Sequence, residues 1–163
     1  PGQDYSDTGI RDHPVKEGNE KFLLYLFELI KYKDDPTQIK ELVLVRTVPE
    51  NEERDVHIEH IHPKAAKLDD WPDWDQNNRD KYLEHIGNKC ILEHQINTHI
   101  SNYKWSKRKT KWAECGDDCV KHYPNSRYNT VTLLAAKQKW NPNRVEERNK
   151  EIMDKIVKHF SEF

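Results

Sequence analysis

The segment DVHIEHIHP, residues 55–63, concentrates histidines and carboxylates in a short, otherwise apolar stretch. It contains three histidines and two carboxylates in nine positions, and it ends on a proline. Groups of this kind are costly to bury without partners, but they are useful where a metal ion or a proton is handled. The segment is therefore the first candidate for a chemical site.

A structural zinc site is one possible use of these side chains. Along an extended strand, His57 and Glu59 would share one face while His60 and His62 would share the other. Four ligands arranged in this way cannot surround one ion tetrahedrally, so distant ligands would be needed. The distant candidates are two cysteines and a histidine: Cys115, Cys119 and His122. Since CGDDC is not a CxxC pair and no second pair exists, the spacing disfavours zinc.

Phosphodiester hydrolysis is the chemistry that the segment suits better. It needs a base for the attacking water and a cation for the charge that develops on the phosphate. In the pair Glu59–His60, the carboxylate can hold a hard divalent ion while the neutral imidazole accepts a proton. Asn97 can offer a second oxygen ligand, and Asn88 can hydrogen-bond backbone across the loop and fix the direction of His60.

Two short strands and a helix are predicted around these residues. DVHIEHI (55–61) alternates like a strand, and NKCIL (88–92) is predicted to be the second strand. Between them, residues 67–80 read as a long acidic loop, and RDKYLEHIG as a short helix with Gly87 as its C-cap. A helix is predicted from about Gln95 through Trp112.

The flanking segments are predicted to be mostly helical. Residues 1–18 are polar and read as a flexible tail or interdomain linker, and residues 19–33 as a buried helix. ELVLVRT (41–47) favours a strand, and Thr130 is a possible helix cap. A last helix should begin at Asn141–Pro142, with Arg148 buried and paired on its apolar side. The apolar stripe of that helix consists of Val145, Ile152, Met153, Ile156, Val157 and Phe160. This order predicts an α+β domain over residues 19–163, with its core at about 55–111.

A basic and aromatic run, NYKWSKRKTKW, follows the predicted site. No Asp or Glu occurs from His94 through Ala113. The run could be a solvated helix face whose aromatic residues enter the core, but contact with DNA phosphates is favoured because its charge would lie beside the metal. Nothing in it resembles base readout, so sequence specificity should be weak. The predicted phosphate contacts are Lys104, Lys107, Arg108, Lys109 and Lys111.

Length, charge and cysteine count indicate a single domain that works in a reducing compartment and does not span a membrane. The chain has 163 residues, which suits one domain, and its formal net charge is −2, so any DNA site must come from local clustering. No signal peptide or membrane span is evident, since FLLYLFELI is short and carries Glu28. Three cysteines, an odd number, favour a reducing cytoplasm. Because the first residue is Pro1, we expect a fragment of a longer protein.

IEHIHP followed by IGNKCILEHQINTHISNYKWSKRK resembles the HNH motif of ββα-metal nucleases. The nine-residue step from Asn88 to Asn97 also resembles HNH domains of RNA-guided CRISPR nucleases. The chain is most similar to the C-terminal HNH domain of GmrSD-type modification-dependent restriction enzymes, and to related Ssp-type anti-phage effectors. The resemblance covers about residues 20–160. It departs from the family pattern at His62, at KC in the second strand and at the insertion 113–127.

The resemblance implies a ββα-metal finger, two short antiparallel strands plus a helix, embedded in a mainly helical scaffold. It implies His60 as general base, Asn88 as the residue that orients it, and Glu59 and Asn97 as ligands of one divalent ion, Mg²⁺ or Mn²⁺. Asn102 would support the site or the DNA.

The implied function is a DNA endonuclease or nickase, the effector domain of a restriction or anti-phage defence protein. A covalently linked N-terminal domain would sense DNA and hydrolyse nucleotide, and no membrane is involved. The alternative is a non-catalytic DNA-binding or protein-interaction module whose histidines are structural.

Overall fold

The computed structural model describes residues 19–32, 56–109 and 122–162. The predicted linker 1–18, the predicted strand 41–47, Lys111 and the two cysteines Cys115 and Cys119 lie outside the described residues. Within the described ranges, the chain forms six α-helices and one antiparallel sheet of two strands. The predicted α+β class, with a strand–strand–helix unit in a mostly helical scaffold, is confirmed.

The elements follow one another in this order: α1 (Asn19–Lys31), β1 (Val56–His60), α2 (Gln76–Tyr82), β2 (Lys89–Glu93), α3 (His94–Ile100), α4 (Trp105–Arg108), α5 (Asn129–Ala135) and α6 (Pro142–Ser161). Three short 3-10 helices lie between them: Leu68–Asp70, Ile86–Asn88 and Tyr123–Asn125. None of the helices in these ranges is long and apolar enough to cross a membrane.

The two strands pair so that His60 lies opposite Lys89, and Glu59 opposite Cys90. Residues 89–92 of β2 are buried, because α1 and α5 pack on this strand. A strand covered in this way needs a continuous apolar run, and Cys90, Ile91 and Leu92 supply it. Glu59 and His60, the last two residues of β1, are thus attached to a strand that is packed into the core.

The predicted single helix from Gln95 to Trp112 is wrong. Helix α3 ends at Ile100, because Ser101 takes a backbone φ of 36° that does not continue a right-handed helix. The chain then turns and forms the separate short helix α4. Asn97 and the basic residues therefore lie on different elements, although both were predicted to lie on one helix.

The segment between the strands also differs from its prediction. Asp75 caps α2 by accepting a hydrogen bond from the Asn78 amide at 2.7 Å, so the acidic loop is shorter than predicted. Gly87 is not the C-cap of this helix. A Cβ at Gly87 would lie 2.2 Å from the Val145 carbonyl oxygen, so glycine permits the close approach of α6.

Helix α6 begins as predicted, with the Asn141 side chain accepting from the Arg144 amide at 3.0 Å and Pro142 at the first position. Arg148 is buried and donates to the carbonyls of Ile86, Gly87 and Lys89, which confirms its predicted structural role. The far end of the apolar stripe is not buried: Val157 and Phe160 are 61% and 60% exposed.

Thr130 is not a helix cap. Helix α5 begins at Asn129, and the buried carboxylate of Glu28 on α1 accepts from the amides of Asn129 and Thr130 at 2.7 and 3.0 Å. Burial raises the pKa of Glu28, although these bonds oppose the rise. This contact fastens α1 to α5 across more than 100 residues of sequence.

Candidate active site

His60 is the last residue of β1, and its imidazole faces away from the side of the strand that carries Glu59. Its Nε2 lies 3.3 Å from Oε2 of Glu84, and its side chain is mostly buried. Burial lowers the pKa of His60, and the positive charges of Lys89 and Lys64 lower it further, against the opposing effect of Glu84. The imidazole is therefore neutral at pH 7. If Nε2 donates its proton to Glu84, Nδ1 is left as a proton acceptor.

Glu84 was not predicted from the sequence. Its carboxylate bonds Lys89 at 2.8 Å and Lys64 at 2.9 Å, besides the contact with His60. Partial burial would raise the pKa of Glu84, but the hydrogen bonds from Lys89 and Lys64 outweigh this effect and lower it to about 2. The Glu84 carboxylate is therefore ionised at pH 7, and it lies in contact with the imidazole. No spacing rule signals Glu84, because only the path of residues 76–88 brings it to His60.

Asn88 is fully buried, and its side chain contacts the turn that follows His60. Its Oδ1 accepts from the His62 amide at 2.9 Å and from Nε1 of Trp140 at 3.1 Å. Its Nδ2 donates to the carbonyls of His62 and Leu83 at 3.2 and 3.0 Å. As predicted, the side chain bonds backbone across the loop. That these bonds also set the direction of His60 stays a prediction.

The other two histidines of the segment, His57 and His62, have contacts different from those of His60. His62 is fully buried, stacked on Trp74 with ring centroids 3.9 Å apart and edge-on to Trp71. Burial lowers the pKa of His62 to about 3, and within the described ranges neither ring nitrogen has a hydrogen-bond partner. His57 pairs with His94 through nitrogens 3.0 Å apart. His62 thus lines the core as a neutral ring.

Glu59, the predicted metal ligand, lies on the opposite face of β1 from His60. Its side chain is 13% exposed, and its Oε1 accepts from Nη1 of Arg108 at 2.6 Å. Burial raises the pKa of Glu59, and the Arg108 charge offsets part of that rise. Asn97, the other predicted ligand, is half-buried on α3, which packs against β1.

The donor types of this pair suit a hard divalent ion. A carboxylate and an amide oxygen are ligands that Mg²⁺ accepts, and Mg²⁺ commonly uses few protein ligands together with water and phosphate oxygens. In the part of the chain that the structure describes, no cluster of three or more His, Cys, Asp or Glu side chains is arranged to hold a metal. The ligand assignment therefore rests on Glu59 and Asn97 alone.

The residues predicted to contact DNA divide into three groups. Asn102, Lys104 and Lys107 are exposed, and the ammonium of Lys107 lies 3.9 Å from the centre of the Tyr103 ring. Lys109 is half-buried and donates to the Gln138 carbonyl at 3.1 Å. Arg108 is fully buried, so its guanidinium does not face solvent, and this placement does not suit the predicted phosphate contact.

Comparison with known proteins gives one match. The family described as GmrSD restriction endonucleases, C-terminal domain, matches residues 6–155 of the chain. Neither a curated protein nor a solved structure matches it significantly. Because the family match spans most of the 163 residues, the chain belongs to the C-terminal domain family of the GmrSD restriction endonucleases.

Proposed function

We propose that this domain is a metal-dependent DNA endonuclease or nickase in which His60 is the general base. Membership of a restriction endonuclease family indicates a nuclease domain acting on DNA. The observation that carries the assignment is the contact of the His60 imidazole with the ionised Glu84 carboxylate at 3.3 Å, together with the pKa of His60, which burial lowers.

In this mechanism, the neutral imidazole of His60 accepts a proton from a water molecule as the water oxygen attacks the phosphorus atom. The imidazolium that forms is stabilised by the Glu84 carboxylate, 3.3 Å from Nε2. Asn88 keeps the imidazole in place through its bonds to the backbone of His62. The P–O bond to the leaving oxygen of the DNA strand then breaks.

Glu59 and Asn97 are proposed to hold one divalent ion, Mg²⁺ or Mn²⁺. When bound, such an ion supplies positive charge for the developing phosphorane and for the leaving oxygen. The two residues come from adjoining elements, β1 and α3, and both offer oxygen donors.

The basic residues are proposed to hold DNA without reading its sequence. Asn102, Lys104 and Lys107 are exposed beyond the end of α3, and Lys109 is half-buried beside them. Lysines bind phosphate as point charges and do not discriminate bases, which supports weak sequence specificity. Lys111 remains part of this proposal from sequence alone. The larger context proposed is a cytoplasmic restriction or anti-phage protein in which a linked N-terminal domain senses DNA and hydrolyses nucleotide.

Plasmid nicking tests this proposal. The wild-type domain should nick supercoiled plasmid with Mg²⁺ or Mn²⁺, and His60→Ala should lower the single-turnover rate by about 10²–10⁴ while DNA binding persists. His57→Ala makes the same chemical change on the same strand and should nick at the wild-type rate. If His60→Ala nicks as fast as wild type, His60 is not the base. If the wild-type domain binds DNA but never cuts it, the domain is a non-catalytic binding module.

A further inference from the structure

Arg108 belongs to the basic run by sequence, yet its surroundings are those of a core residue. Its relative exposure is 0%, and its guanidinium donates to groups from three parts of the chain. The acceptors are Tyr103 O at 2.7 Å from Nε, Glu59 Oε1 at 2.6 Å, Tyr123 Oη at 3.0 Å and His60 O at 3.4 Å from Nη1, and Ser101 O from Nη2.

These bonds join the two elements that carry the proposed metal ligands. Glu59 and His60 end β1, whereas Ser101 is the residue at which α3 stops. The Ser101 amide in turn donates to the Asn97 carbonyl at 3.1 Å. Arg108 thus connects the Glu59 carboxylate to the backbone one helical turn from Asn97.

The backbone conformation of Ser101 depends on contacts such as those made by Arg108. Its φ of 36° is sparsely populated for a residue with a side chain, so neighbouring contacts must hold it. Arg108 supplies such contacts at the carbonyls of Ser101 and Tyr103. Moving the guanidinium would therefore release the end of α3.

Arginine suits this place better than lysine. A buried cation must be fully paired, and a planar guanidinium can donate in several directions at once. Glu59 lies at Nη1, Ser101 at Nη2 and Tyr103 at Nε, so three separate nitrogens are used. A lysine ammonium is a single point charge and cannot span these acceptors.

We propose that Arg108 is a positioning residue of the nuclease site, which holds the Glu59 carboxylate and the end of α3 at a fixed separation so that Glu59 and Asn97 bind one divalent ion together. This inference rests on the proposed function. It replaces the direct phosphate contact predicted from the sequence, because the buried guanidinium takes its partners from inside the protein.

The test is Mn²⁺ binding by the folded chain, measured by electron paramagnetic resonance of free Mn²⁺, alongside plasmid nicking. Arg108→Lys should raise the Mn²⁺ dissociation constant by about 10–100-fold, the usual cost of losing a residue that orients a ligand. The Mn²⁺ concentration for half-maximal nicking should rise in parallel, while KM for DNA stays unchanged.

Arg148→Lys is the matched control, because Arg148 is also buried but donates to the carbonyls of Ile86, Gly87 and Lys89. It should lower thermal stability without changing Mn²⁺ affinity by more than about twofold. Tyr123→Phe is the second variant should Arg108→Lys not fold. It removes one hydrogen bond of Arg108, and the Mn²⁺ dissociation constant should rise a few-fold.

Three results would overturn the inference. Wild-type Mn²⁺ affinity in Arg108→Lys, or in Tyr123→Phe if Arg108→Lys does not fold, would show that Arg108 does not position a ligand. Equal weakening in Arg148→Lys would mean a merely structural role, and a raised KM for DNA with unchanged Mn²⁺ affinity would mean a phosphate contact. In each case a wild-type domain that still nicks plasmid leaves the proposed function standing, whereas a wild-type domain that neither binds Mn²⁺ nor nicks removes both.

Discussion

At the scale of single residues, His60 and Glu84 would have different roles in the reaction, although their side chains are in contact. The carboxylate comes from a residue 24 positions away and is held by two lysines. His60 would supply the proton acceptor, and Glu84 would supply the orientation and the counter-charge. Losing the second residue should therefore cost less than losing the first.

We expect Glu84→Ala to lower the single-turnover nicking rate on the order of tenfold, less than His60→Ala, because the base remains but turns freely. DNA affinity should be unchanged. Asp80→Ala is the control, since Asp80 is an exposed carboxylate of α2 that bonds Gln76. An unaltered rate in Glu84→Ala would mean that the 3.3 Å contact has no part in the reaction.

Asn97 should affect metal use more than DNA binding, because its amide is proposed to be a ligand while the phosphate contacts come from elsewhere. Asn97→Ala should shift the Mg²⁺ or Mn²⁺ titration of nicking to higher concentration, by about tenfold or more. Thr98→Ala, an exposed neighbour on the same helix, should leave the titration in place. The same metal optimum and rate in Asn97→Ala would remove Asn97 from the ligand set.

At the scale of elements, Asn88 joins three parts of the fold. Its side chain bonds the turn after β1, the end of α2 and the Trp140 indole that precedes α6. Each of these partners is a polar group that would otherwise be buried without a hydrogen bond. Asn88 should therefore stabilise the fold, in addition to the role in orienting His60 that is proposed for it.

Asn88→Ala should lower the free energy of unfolding by about 3 kcal/mol or more, since each buried polar group left unpaired costs about 1–3 kcal/mol. Urea denaturation measures the loss. Asn143→Ala is the control, because Asn143 is exposed in the first turn of α6. A loss below about 1 kcal/mol would indicate that water replaces these bonds.

At the scale of the whole molecule, the net charge is −2, so attraction to DNA has to be local. We propose that the lysines of the basic run make this contribution; Arg108 is left out because it is buried. Helix α6 carries three exposed lysines, as many as the lysines of the basic run that lie within the described residues, and it serves for comparison.

The triple variant Lys104→Ala, Lys107→Ala and Lys109→Ala should weaken binding to all DNA sequences alike. Each phosphate contact contributes roughly −0.9 to the log–log salt slope on duplex DNA, so the slope should flatten by about two to three units. The control is Lys150→Ala, Lys155→Ala and Lys158→Ala on α6, which makes the same change in net charge. If both triple variants flatten the salt slope equally, DNA affinity depends only on the net charge of the protein and not on the basic run.

The sequence by itself determined the local features. The chemical roles assigned to Glu59 and His60 stay predictions, whereas the strand–strand–helix order and the Asn141–Pro142 start of α6 were predicted correctly. They depend on neighbours within a few positions, through alternation, capping and turn chemistry, and such rules can be applied to one chain. The family resemblance, confirmed by the match over residues 6–155, identified the class of protein.

Only the tertiary structure decided which side chains have partners and which face solvent. Arg108 reads as one more surface cation, yet it is buried against Glu59 from 49 residues earlier. Glu84 reads as an ordinary helix carboxylate, yet it contacts His60. Ser101 gives no sign that it ends a helix. Burial and pairing depend on how distant segments pack, and neither periodicity nor residue type along one chain encodes that packing.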